Sequence, residues 1–168
     1  MKNIFLIGFM GSGKSTIAFH LSKNYGMEIV EMDQVIVERE GMSISDIFAE
    51  KGENYFRDLE TRLLIELQDA QEKVVSCGGG VVLREHNVAE MKKSGVIVLL
   101  MAEPETILER VKEDDERPLL RGNKNISFIS DMMKKRYPKY ESAADLIVHT
   151  DGKDAESICK EILKAIEK

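Results

Sequence analysis

Short, continuously apolar runs alternate along the chain with longer segments whose apolar residues recur three and four positions apart. That alternation predicts α/β architecture. Ile4 to Ile7, Met27 to Val30, Val74 to Val75, Val96 to Met101 and Leu146 to Val148 lack the in-out alternation of half-exposed strands. They predict five parallel strands with helices over both faces of the sheet. Lys14 to Asn24, Val35 to Glu40, Tyr55 to Gln68, His86 to Lys93, Pro104 to Lys112 and Ser127 to Tyr140 carry helical periodicity. A last helix starts near Ala155, where Ile158, Ile162 and Ile166, with Leu163 beside them, form one apolar stripe. The most polar stretch, Lys112 to Asn125, has the composition of a long functional loop and is a lid candidate.

Composition narrows the class. A chain of 168 residues with 43% apolar and 32% charged residues suits one soluble domain with a single substantial core. A formal net charge of -6 and no basic run argue against a nucleic-acid partner. Cys77 and Cys159 stand far apart without metal-ligand spacing, as expected in a reducing compartment. No apolar run has the length of a membrane span and no cleavable signal pattern opens the chain, so a cytoplasmic protein without membrane contact is expected.

The strongest chemical signal is Gly8-Phe9-Met10-Gly11-Ser12-Gly13-Lys14-Ser15-Thr16, which satisfies G-x-x-x-x-G-K-[ST] between an apolar strand and a helix. Such glycines let successive backbone N–H groups and a helix N-terminus face phosphates. Gly11, Ser12, Gly13, Lys14, Ser15 and Thr16 are therefore the expected nucleotide-binding set. Lys14 supplies a positive point charge, and Ser15 a hydroxyl for the Mg2+ that bridges ATP phosphates. A GTPase would carry N-K-x-D, but Asn123-Lys124-Asn125-Ile126 ends in Ile and no D-x-x-G occurs. A motor ATPase would end a core strand on a carboxylate, and Val74-Val75-Ser76-Cys77 does not. Small-molecule kinases remain.

Glu31-Met32-Asp33 follows the second strand, where α/β sheets open a ligand crevice. On extended chain both carboxylates share a side, so Glu31 could hold a metal-bound water while Asp33 accepts a proton from an attacking hydroxyl. Asp33 could equally cap the helix that follows.

Together with the phosphate-binding turn and the acidic pair, several further motifs resemble the shikimate kinase family over nearly the whole chain. They are Asp46-Ile47-Phe48, Gly52-Glu53, Phe56-Arg57-Asp58-Leu59-Glu60, Gly78-Gly79-Gly80, Arg117-Pro118-Leu119-Leu120 and Arg136-Tyr137 before Tyr140. The resemblance implies that Asp33 meets the shikimate hydroxyls as base, that Arg57 and Arg136 grip its carboxylate, and that Gly79 offers it backbone. It also implies that Phe48 and Phe56 wall the acceptor pocket and that Arg117 is the lid cation closing over ATP. Guanidinium forks do suit a small carboxylic acid. Arg57 could instead join a surface ion pair with Asp58 or Glu60, and Phe48 and Phe56 could be plain core.

Two positions depart from the family pattern: Glu31 stands where aspartate is usual, and Thr150 to Ala155 lacks the proline some members set against adenine. Arg110 and Lys153 are the remaining candidates for adenine contacts. The expected whole is a three-layer P-loop kinase domain with an acceptor-binding region near 33–60 and a lid near 112–124. It should act as a monomer on ATP and shikimate with Mg2+. A kinase of another hydroxylated acid such as gluconate, and a non-catalytic nucleotide sensor, are the alternatives.

Overall fold

The computed structural model describes residues 2–111 and 125–167, so the predicted lid and Arg117 lie outside the described residues. Among the described residues five strands form one parallel sheet: β1 (Asn3–Ile7), β2 (Glu28–Glu31), β3 (Lys73–Ser76), β4 (Gly95–Met101) and β5 (Leu146–His149). Their order is β2-β3-β1-β4-β5, so the first strand made is the central one. The pairing Ile4↔Val74 on one side and Ile4↔Val96 on the other sets the register of the whole core.

The apolar runs are continuous because successive residues enter different layers. Ile4 and Leu6 of β1 pack with Val74, Val98 and Leu100 under two helices, α1 (Lys14–Tyr25) and the last helix, Ala155–Ile166. Phe5 and Ile7 face the opposite layer with Val75, Ile97 and Leu99. Period-two alternation with both faces covered leaves no polar position in β1 except at Asn3.

The β2-to-β3 crossover holds three helices: α2 (Met32–Glu40), α3 (Ile44–Lys51) and α4 (Glu53–Glu66). The periodicity argument did not predict α3. It is only eight residues long and bounded by Gly41 and Gly52 at positive φ, too short for a repeating stripe. Its local signal is Ser43, whose hydroxyl accepts from the Asp46 N–H at 3.1 Å as an N-cap. After β3 the chain passes the glycine triplet into α5 (Glu85–Ser94), then β4 and α6 (Pro104–Val111). α7 (Ile126–Ala143) precedes β5, and α8 is the last helix already named. No helix among the described residues is long and apolar enough to cross a membrane.

Asn3 explains its own place in an apolar strand. Fully buried, it donates through Nδ2 to the Ala70 carbonyl at 3.0 Å and to Ser94 Oγ at 3.2 Å, and its Oδ1 accepts from the Lys73 N–H at 3.0 Å. It thereby ties the start of β1 to the turns entering β3 and β4. Replacing Asn3 with Ala strands those buried partners, and the expected loss is about 2–4 kcal/mol. In thermal melts Asn3→Ala should lower Tm by roughly 5–15 °C, while ATP affinity at a permissive temperature stays unchanged.

Candidate active site

The carboxyl ends of β1, β2 and β3 open into one cavity of about 780 Å3, large enough for two small ligands side by side. Its nucleotide wall is the turn after β1. Gly8 leaves the strand at φ 145°, and a Cβ there would stand 2.5 Å from the Leu100 carbonyl oxygen and 2.8 Å from Ser12 Oγ. Only glycine allows the chain to turn that close to β4. The turn closes with the Ser12 N–H donating to the Phe9 carbonyl at 3.1 Å. Gly13, at the N-cap of α1, provides no side-chain cap, which keeps the first N–H groups of the helix for an anion. Lys14 folds back under the turn and donates to the carbonyls of Gly8 and Phe9.

Gly11, Gly13, Lys14, Ser15 and Thr16 all line the cavity, as the motif predicts. Ser12 turns its side chain inward instead, where it is buried and faces Gly8. Arg110 reaches across from α6 and donates to the Gly11 carbonyl at 2.8 Å. Its guanidinium therefore stands beside the phosphate turn, in the wall of the cavity. Lys153 is absent from the cavity wall, and its ammonium lies 3.4 Å from Glu161 on α8.

Ser15 Oγ donates to Glu31 Oε2 at 3.1 Å, so a hydroxyl and a carboxylate meet at the mouth of the turn. An oxygen-only pair suits Mg2+. Among the described residues no three His, Cys, Asp or Glu side chains gather as a metal cluster. Glu31, rather than Asp33, occupies the N-cap of α2, and it makes no capping bond. Asp33 is half-buried in the first turn of α2 and also lines the cavity. The two carboxylates converge through a strand-to-helix turn and not along extended chain, and the capping alternative for Asp33 does not hold.

The acceptor wall is built from buried charge. Arg57 of α4 is 7% exposed, and its guanidinium donates to Glu60 Oε1 at 2.9 Å and to Glu53 Oε2 at 3.1 Å. This is a buried pair one helical turn long, which rules out the surface-pair alternative. Burial pushes the Glu60 carboxyl up to about 7; the Arg57 charge opposes that rise and Asp33 adds to it. Opposite, Arg136 of α7 is also 7% exposed, and its Nη1 has no hydrogen-bond partner among the described residues. Between the two cations runs the glycine triplet. A Cβ on Gly79 would lie 3.4 Å from Arg136 Nη1, and one on Gly80 would lie about on top of the Arg57 guanidinium, at 2.5 Å from Cζ. Tyr140 donates its hydroxyl to the Gly79 carbonyl and pins the triplet from α7. Phe48 and Phe56 stack at 5.3 Å between centroids and close the end of the cavity, so both are wall residues.

A family model described as shikimate kinase matches residues 10–167. The chain belongs to the shikimate kinase family. It is 45% identical to the shikimate kinase of Persephonella marina over 99% of both chains, and 40% identical to that of Thermodesulfovibrio yellowstonii over 100% of this chain and 96% of the relative. The structure of shikimate kinase from Acinetobacter baumannii in complex with shikimate superposes with a TM-score of 0.93 at 34% identity, covering 99% of this chain and 93% of that one. A deoxyadenosine kinase of M. mycoides with bound dATP shares the fold at a TM-score of 0.65 and 16% identity.

Within the cavity of this shikimate kinase family member, the sequence reading did not single out two residues that the structure sets against the glycine triplet. Glu60 registered only as an ion-pair partner, although its place three residues after Arg57 on a helix puts both on one face. Tyr140 registered only as the end of a motif; nothing local announces a hydroxyl bound to a carbonyl 61 residues earlier in the chain.

The Gly80 contact yields a direct test. Gly80→Ala must push the Arg57 guanidinium off its seat, and a displacement of that size typically costs about 100-fold. Steady-state kinetics should show the loss in KM for shikimate, with KM for ATP nearly unchanged.

Proposed function

We propose that the cavity binds Mg-ATP on the β1–α1 turn and shikimate between α2, α4, α7 and the glycine triplet. The chain then catalyses in-line transfer of the γ-phosphate to the shikimate 3-hydroxyl, giving shikimate 3-phosphate and ADP. Membership of the shikimate kinase family supports the activity. The observation that carries the acceptor assignment is the pair of buried guanidiniums on facing walls, Arg136 with an unspent donor aimed at the triplet and Arg57 locked by two carboxylates. A pair of buried cations at one end of the cavity selects a small acid over a neutral polyol.

The residues divide the work. The backbone N–H groups of Gly11, Ser12 and Gly13 and the N-terminus of α1 hold the nucleotide phosphates, with Ser15 and Thr16 at the start of the helix. Lys14, released from the Gly8 and Phe9 carbonyls, meets phosphate charge that grows in the transition state. Mg2+ would be held by Ser15 and, through its water shell, by Glu31, and supplies charge neutralisation between the phosphates when bound. Asp33 orients the acceptor hydroxyl and takes its proton. Arg57 and Arg136 bind the carboxylate, and Gly79 gives the ring a backbone partner. Arg117, read from the sequence as the lid cation and outside the described residues, completes the charge on the transferring group.

The test is ADP release by the purified protein with Mg-ATP and shikimate, gluconate, quinate or a nucleoside monophosphate at equal concentration. Shikimate alone should stimulate release, with shikimate 3-phosphate as product. Stimulation by gluconate instead, or ATP binding with no acceptor effect, would replace this acceptor reading. Asp33→Asn should lower kcat by about 100- to 10,000-fold while ATP affinity measured by calorimetry is retained. Lys14→Ala should weaken nucleotide binding and turnover together, because its charge serves both ground and transition states.

A further inference from the structure

The acceptor wall contains a fully buried carboxyl group, Glu60, whose proton the phosphoryl transfer does not use. Glu60 is 0% exposed, its Oε1 is engaged by Arg57 at 2.9 Å, and its Oε2 is buried with no hydrogen-bond partner among the described residues. That bare oxygen is aimed at Gly78. A Cβ built there would lie 2.7 Å from Glu60 Oε2 and 3.1 Å from Asp33 Oδ1, so the two carboxyl groups face one another across a residue without a side chain. Every element around Glu60 contributes charge or polarity. α4 contributes Arg57, itself shared with Glu53, α2 contributes Asp33, the turn before α5 contributes Arg84, the end of β3 contributes Cys77, and α7 contributes Tyr140 and Arg136. Two carboxyl groups that flank the same glycine in a buried wall repel one another, and full charge on both is costly. The partner-less Oε2 is where a proton would sit.

We infer that Glu60 is a proton-linked gate on acceptor affinity: binding of the carboxylate substrate is coupled to uptake of a proton by Glu60. The inference rests on the acceptor reading above. An incoming carboxylate adds one negative charge beside Arg57, the cation that otherwise compensates Glu60. With its compensation shared, Glu60 binds its proton more tightly, and by linkage the protonated form binds the acceptor more tightly. Protonation also leaves Arg57 with more net positive charge to offer. The sign is fixed: affinity is highest where Glu60 carries its proton, below its ligand-free pKa of about 7, and falls as pH rises through and above that value. The fall amounts to about tenfold for each unit by which the bound acceptor lifts that pKa. The acceptor's own carboxylate is ionised throughout this range and contributes no slope.

Calorimetric titration of shikimate into the intact native protein, in two buffers of different ionisation enthalpy at about pH 7.5, reads the proton directly. The expected result is a buffer-dependent heat corresponding to uptake of a fraction of a proton per site, with a Kd that weakens from about pH 6 to about pH 8.5. Glu60→Gln, which keeps the shape and removes the titration, should bind with no buffer dependence and a flat pH profile. Binding heat that is identical in both buffers overturns the inference while leaving the acceptor reading intact. Retention of the pH profile in Glu60→Gln also overturns it, by assigning the proton elsewhere. Absence of any shikimate binding heat overturns the acceptor reading and the inference with it. Should Glu60→Gln not fold, the same titrations on Glu60→Asp decide: a pH profile with its midpoint unmoved from that of the native protein overturns the inference.

Discussion

The chain leaves β1 at Gly8 with the carbonyl of Leu100 in the space that any side chain would need. That close approach turns the backbone inward at once, so that the turn wraps over the sheet edge and α1 starts with its N-terminus aimed back at the cavity. Everything on the nucleotide side inherits the geometry. Lys14 can fold beneath the turn, Ser12 is driven inside, and Arg110 can reach the Gly11 carbonyl only because that carbonyl is presented outward. The sheet supplies the other half of the constraint, since its parallel strands deliver β2 and β3 to the same edge.

The two halves of the cavity use opposite physics. The nucleotide wall is made of backbone and helix dipole, with one lysine, and remains open to a highly charged ligand that brings its own cation. The acceptor wall is made of ionised side chains already removed from water, at a desolvation cost that only close pairing offsets. Arg57 is held by Glu53 and Glu60 before any ligand arrives, so it is preorganised. Arg136 keeps a donor in reserve. Phe48 and Phe56 complete a low-dielectric end wall that strengthens both interactions.

The fold and the nucleotide wall were legible in the sequence because their signals are local. Apolar runs give buried parallel strands, and the spacing from Gly8 to Thr16 is one contiguous turn. The family resemblance named Asp33, Arg57, Gly79 and Arg136, and all four line the cavity, but pattern alone could not say what surrounds them. Whether Arg57 pairs at the surface or in the interior depends on α3 and the glycine triplet covering it, and α3 was too short to declare itself. The Tyr140 bond to Gly79 and the bare oxygen of Glu60 depend on contacts between distant parts of the chain, which no window of sequence contains. Arg110 was chosen for its charge and neighbourhood, and only the direction of α6 shows that its guanidinium meets the Gly11 carbonyl.

The order β2-β3-β1-β4-β5 also sets a timetable for synthesis. β1 emerges from the ribosome first, yet its partners begin at Lys73 and Gly95, so the central strand waits unpaired until the chain has grown past Lys73. Contacts so distant in sequence make slow, late-committing folding, because long loops must close before any pairing rewards them. The phosphate turn waits longer than the first strand pairing. Its shape needs the Leu100 carbonyl near the end of β4, so a nascent chain carries the complete nucleotide motif long before it has the means to grip a nucleotide. ATP therefore cannot serve as a template for the early steps of folding and can only reward their completion.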